Sequence, residues 1–183
     1  NSDMIGWIKI EDTNINYPVM QTEINNPTFY INRNFEKEES VSGTPFVDSR
    51  CTLESENIIV YSHNMKNGTM FGGLTKYKEE EYYQKHRIIV FDTLYEERRY
   101  EIVGIVLTKV YYNEMSSEEA FEFYNYIELD TEEKFDEYVA IIKEQSLYET
   151  GVSVEANDDF ITLVTCNYHT EDGRLLIVAK RIQ

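Results

Sequence analysis

Eight short segments rich in Ile, Val, Tyr and Thr restrict this chain to a β-rich fold. They are Trp7–Ile10, Asn14–Met20, Thr44–Asp48, Asn57–Ser62, Arg87–Leu94, Arg98–Val110, Asp159–Cys166 and Arg174–Ile182. β-Branched and aromatic side chains suit a pleated, half-buried surface, and the 15 tyrosines fit the same environment. Glu11-Asp12-Thr13 reads as a tight turn between the first two segments, and Asp172-Gly173 is a hairpin signal just before Arg174. One region breaks the pattern. Ser116-Ser117-Glu118-Glu119 resembles a capping box and predicts a helix to about Tyr126. A second helix is predicted from Thr131 to Ser146, where Phe135, Tyr138, Val139 and Ile142 fall on one face. The expected fold is mainly β with helices: a closed eight-stranded barrel with a helical insert, about residues 113–150, between the sixth and seventh strands.

The 183 residues suit a single domain over 1–183, with no repeat, no low-complexity linker and only three prolines. A net charge of −17 argues against nucleic acid and against anionic membrane surfaces, which would repel it. Two cysteines, Cys51 and Cys166, are too few for a disulfide framework. Cys51 lies in a polar run, Asp48-Ser49-Arg50-Cys51-Thr52, and reads as an incidental free thiol. No apolar run approaches the ~18 residues of a membrane span, and no signal peptide is visible. The chain begins at Asn1-Ser2-Asp3 without an initiator Met, as the soluble part of a longer protein could.

Chemistry concentrates at two strand ends. Thr162-Leu163-Val164-Thr165-Cys166 is an apolar strand that finishes on a thiol, and Arg174 opens the next strand eight residues later. The two should meet at one rim of the sheet. His63, in Tyr61-Ser62-His63-Asn64, follows the apolar strand Asn57–Tyr61 and precedes a glycine-bearing stretch. A histidine there combines a rigid support with access for substrate. An isolated thiol is mostly protonated at neutral pH, and a neighbouring imidazolium or guanidinium raises its reactive fraction. A guanidinium stays charged and offers a planar fork of donors to an oxyanion. Together these groups could run acyl transfer through a thioester. Each has a plainer role when taken alone: Cys166 as a small buried hydrophobe, His63 as a structural histidine, Arg174 as a surface ion pair. His86, in a charged segment, reads as a surface residue. Cys166-x-x-His169 could be half a metal site, but no second matching pair completes four ligands, and no metal is expected.

The three residues in this order resemble the sortase family. Thr162–Cys166 with Arg174 looks like the TLxTC…R signature of sortases, and Tyr61–Asn64 resembles their histidine segment. Gly6-Trp7-Ile8-Lys9-Ile10, Ile15–Gln21 and His63–Phe71 look like class B members in particular, as does a helical insert before the seventh strand. Val164 and Ser62 stand where many class B members have Ser and Gly.

The resemblance implies a cysteine transpeptidase of the Gram-positive cell surface, held by an N-terminal anchor absent from this chain. Cys166 would be the nucleophile, His63 the general acid and base, and Arg174 the oxyanion and positioning residue. The partners implied are a sorting-signal peptide, cut after Thr, and an amine of peptidoglycan or its precursor. No cofactor is required by that chemistry. Thr165 and Val164 would contact the peptide, with Tyr126 and Ile127 of the insert as one wall of its groove and Ile31 as the other. The residues themselves leave two alternatives open, a cysteine peptidase that resolves the thioester with water and a non-catalytic binding barrel.

Overall fold

A computed structural model describes residues 1–110 and 121–183. Its eight strands close into a barrel. In chain order they are β1 (Met4–Lys9), β2 (Asn16–Met20), β3 (Phe46–Val47), β4 (Asn57–Tyr61), β5 (Ile88–Thr93), β6 (Glu97–Lys109), β7 (Phe160–Cys166) and β8 (Gly173–Arg181). Around the barrel the order is β1-β2-β3-β4-β7-β8-β6-β5, and β5 pairs with β1 to close it. The β2–β3 and β4–β7 pairs are parallel and the rest antiparallel. Among the described residues, closure leaves no strand at an unpaired sheet edge, where another chain could add. All eight predicted segments are strands, with ends shifted by a few residues. Thr44–Asp48 shrinks most, to the two residues of β3.

The strands that frame the candidate chemistry are continuous apolar runs. In β4 and β7 every residue is buried except the last, because one face looks into the barrel and the other is covered. The helix α2 (Glu132–Gln145) packs on β6 and reaches the start of β7 through Phe135 and Tyr138, whose rings meet Phe160. Thr131 Oγ1 accepts from the Lys134 amide at 3.3 Å as its N-cap, and Glu132 and Glu133 favour the positive end of the helix dipole. Phe135, Tyr138 and Ile142 are its buried face, as the spacing predicts. Gly104 of β6 permits the contact: a Cβ there would lie 2.5 Å from Ile142 Cγ2.

A buried polar knot ties the insert to the barrel. Thr162 Oγ1 donates to Asn57 Oδ1 at 2.8 Å, and Asn57 Nδ2 donates to the Tyr126 carbonyl at 2.8 Å and to Tyr138 Oη at 3.2 Å. The threonine hydrogen is thus committed, so the Tyr138 hydroxyl donates to Thr162 Oγ1 at 3.1 Å. Each polar group has a partner, as groups this deep in the fold require. Burial holds the Tyr138 phenol well above its usual pKa.

The helical expectations are met in part. Ser116–Glu119 lies outside the described residues. From Phe121 to Tyr126 the structure shows only a 3-10 turn, Phe123–Asn125, with no α-helix. Two elements went unmarked in the sequence: a 3-10 stretch, Phe71–Lys78, and the short helix α1 (Glu80–Lys85). Both are too short to display a helical apolar stripe. Among the described residues, no helix is long and apolar enough to cross a membrane.

Candidate active site

The end of β7 and the start of β8 bring the thiol and the guanidinium together. Cys166 and Arg174 are directly paired residues of the antiparallel ladder. Residues so paired project their side chains to one face, with Cβ atoms about 4.5–5.5 Å apart. The six residues between the strands form a longer loop than a two-residue hairpin. Asp172 takes a left-handed φ of 54° in it. Gly173 answers a close approach: a Cβ there would sit 2.2 Å from the Asn167 carbonyl oxygen. Arg174 is aimed by its own loop, Nη1 donating to the carbonyls of Asp172 and Gly173 at 3.0 Å each.

His63 enters from the parallel neighbour, β4, two residues past its end. Its Nε2 lies 2.7 Å from the Ile31 carbonyl oxygen. A carbonyl only accepts, so Nε2 carries a hydrogen, and the ring gains or loses its second proton at Nδ1. Both residues flanking the histidine are tied to β7. The Ser62 amide donates to the Val164 carbonyl at 3.1 Å, and Thr165 Oγ1 donates to the Ser62 carbonyl at 2.8 Å. Asn64 Nδ2 donates to the Cys166 carbonyl at 2.8 Å.

Cys166, His63 and Arg174 line one cleft of about 360 Å³, together with Ile31, Val164 and Thr165. Four aromatic rings, Phe46, Tyr61, Phe123 and Tyr124, also line it. Asp48 lines it too, and accepts from Arg50 Nε and Nη2 at 2.9 Å each and from Tyr61 Oη at 3.1 Å. Burial would raise the Asp48 pKa, but the Arg50 bonds outweigh it and hold the carboxyl below its ordinary range. Burial pushes the Tyr61 phenol up, so it stays neutral beside that carboxylate.

Tyr126 and Ile127 are not in that cleft. The Tyr126 ring packs on Phe121 and Tyr138 at 5.6 and 5.4 Å between centroids, and Ile127 is buried in the main core. The turn at Phe123–Asn125 presents Phe123 and Tyr124 to the cleft in their place. Val164 is almost wholly buried, though it lines the cleft. Ser62 Oγ is buried and makes no hydrogen bond among the described residues.

His169 turns back on its own loop, Nδ1 3.1 Å from Asn167 Oδ1, and burial and the Lys78 charge hold its pKa below the usual value. His86 is half-buried, with Nδ1 3.1 Å from the Glu11 carbonyl oxygen and its ring against Tyr82. Among the described residues no three His, Cys, Asp or Glu side chains gather as a metal-binding set. A second groove of about 250 Å³, between α2 and the segment after it, holds neither thiol nor histidine.

The two cysteines differ sharply in environment. Both are free, but Cys51 is buried with Sγ 3.7 Å from the Asn57 carbonyl oxygen, and burial pushes its thiol up to about 12. Only about one part in 10,000 of such a thiol is ionised at pH 8. A chromogenic disulfide reagent at pH 8 should therefore titrate one thiol in the folded protein and the second only after denaturant is added. Two fast thiols would contradict the buried placement of Cys51.

A model of the sortase domain matches residues 8–182. The chain belongs to the sortase family. The sortase B of Listeria monocytogenes is 34% identical over 188 residues, spanning all of this chain and 71% of that protein. The crystal structure of Clostridium perfringens sortase B superposes with a TM-score of 0.84 at 33% identity, covering all of this chain and 96% of that one. A Staphylococcus aureus sortase B–substrate complex gives 0.84 at 30% identity, covering all of this chain and 81% of that one. The class is B, and sortases are cysteine transpeptidases. The mainly-β barrel expected from the sequence is the barrel of these sortase B structures.

Proposed function

We propose that this sortase cuts a sorting-signal peptide after a threonine and transfers the new acyl group to an amine of peptidoglycan or its precursor. The observation that carries this reading is the direct cross-strand pairing of Cys166 with Arg174 at the rim of a cleft that also holds His63. In the first half-reaction the Cys166 thiolate adds to the threonine carbonyl. Arg174 donates to the resulting oxyanion, and the His63 imidazolium gives its Nδ1 proton to the departing amine nitrogen. The C–N bond breaks and a thioester remains. In the second, an amine adds to the thioester, His63 takes its proton, and the thiolate leaves as the new amide forms. Arg174 is a better partner for the oxyanion than lysine because its fork can serve the carbonyl and still hold the loop carbonyls.

The peptide lies between Ile31 and the Phe123-Tyr124 turn, over Val164 and Thr165. This assignment is supported by their shared lining of the cleft. The Staphylococcus aureus relative is known as a complex with substrate, which suits a peptide in the corresponding groove. The same reading places the enzyme at the outer face of the cell membrane, tethered by an N-terminal segment. Mass spectrometry tests it. Incubation with a panel of threonine-containing sorting peptides and an oligoglycine or diaminopimelate-type amine should yield a ligated product joined at the threonine. Cleavage yielding only the free acid, at every amine concentration, would assign a peptidase in its place.

A further inference from the structure

The main-chain pairing of β4 with β7 continues one residue past the end of β4. In this parallel pair the Ser62 amide donates to the Val164 carbonyl. The next rung would run from residue 64 to the carbonyl of residue 166. At that point the backbone has turned away, and Asn64 forms an isolated antiparallel bridge with Met70. The side chain supplies the missing rung: Asn64 Nδ2 donates to the Cys166 carbonyl at 2.8 Å. His63 therefore sits between two anchors on the strand that carries the thiol, and the peptide group of the thiol residue is itself one of them. The histidine segment grips that loop a second time through its continuation. Lys78 Nζ donates to Asn167 Oδ1 at 3.1 Å.

We propose that Asn64 is a positioning residue, whose amide sets the separation of the His63 ring from the Cys166 thiol. This rests on the catalytic reading above. A strand end that leaves its sheet is free to drift, and a shift of about 1 Å between reacting groups can cost on the order of 100-fold in rate. The Asn64 amide removes that freedom without placing another charge in the cleft.

The test compares Asn64→Ala and the isosteric Asn64→Asp with the parent protein on one sorting peptide. Each should lower kcat by about 10- to 100-fold and leave KM within about twofold, because alignment is lost and the groove is kept. Melting temperatures should stay close to the parent's. The Asn64→Asp variant has a distinguishing signature. Its carboxylate cannot donate to the Cys166 carbonyl, but the protonated acid can. Its kcat relative to the parent should therefore rise as pH falls, while that of Asn64→Ala stays flat. Parent-like kcat in both variants, or a rise in KM alone, would overturn the proposal. Peptide cleavage by a Cys166→Ala control would overturn the catalytic reading instead, so the two failures are told apart.

Discussion

Cys166→Ala should abolish peptide cleavage, with a loss on the order of 10⁴-fold or more, as when the nucleophile is removed from a catalytic triad. The thiol is half-buried at the end of β7, and its replacement leaves the ladder to β8 intact. Stability should therefore change little, and a fluorescent sorting peptide should still bind within a few-fold of its parent affinity. Turnover and binding are measured on the same preparation. Residual cleavage above about one per cent of the parent rate would exclude covalent catalysis at Cys166. Cys51 offers no substitute, because it lies buried against the Asn57 carbonyl with its thiol held protonated.

Arg174→Ala should lower kcat by about 10²- to 10³-fold, the usual cost of removing one oxyanion donor. Arg174→Lys keeps the charge but loses the planar fork, and should recover only part of the rate. The parent side chain also holds the Asp172 and Gly173 carbonyls, so the variants could act by loosening the loop. Alkylation of Cys166 by a small haloacetamide separates the two effects, since that reaction develops no oxyanion. If Arg174 serves the oxyanion, peptide turnover falls far more than the alkylation rate. Equal losses in both would assign Arg174 to the thiol or the loop.

Much of this site was legible in the sequence because its local signals are strong. A β-branched run ending on Cys166 and another opening on Arg174 could be placed at one rim without coordinates. Where the signals were weak, the sequence misled or was silent. Tyr126 and Ile127 were drawn into the groove by resemblance. The Asn57 amide instead holds the Tyr126 carbonyl, and the Asn57 amide N–H donates to the Ile127 carbonyl. That anchoring turns both residues to the core and leaves Phe123 and Tyr124 at the cleft. Asn64 was visible beside the histidine but had no assigned task. Its partner is 102 residues away, and no local pattern announces such a bond. The elements Phe71–Lys78 and Glu80–Lys85 carry no local signal because they are too short to show a periodic apolar pattern.

The sequence by itself determined the strands, their closure into a β-rich fold, the amphipathic helix α2 and the chemical inventory of thiol, imidazole and guanidinium. Those follow from side-chain shape, hydrophobic periodicity and residue type, which act over a few neighbours. Adjacency of β7 and β8 was legible too, but only the tertiary structure decided that the histidine meets the thiol and the guanidinium. Pairing β4 in parallel with β7, and β7 antiparallel with β8, brings residues 63, 166 and 174 to one cleft. Strand register is a long-range property, set by the whole barrel core.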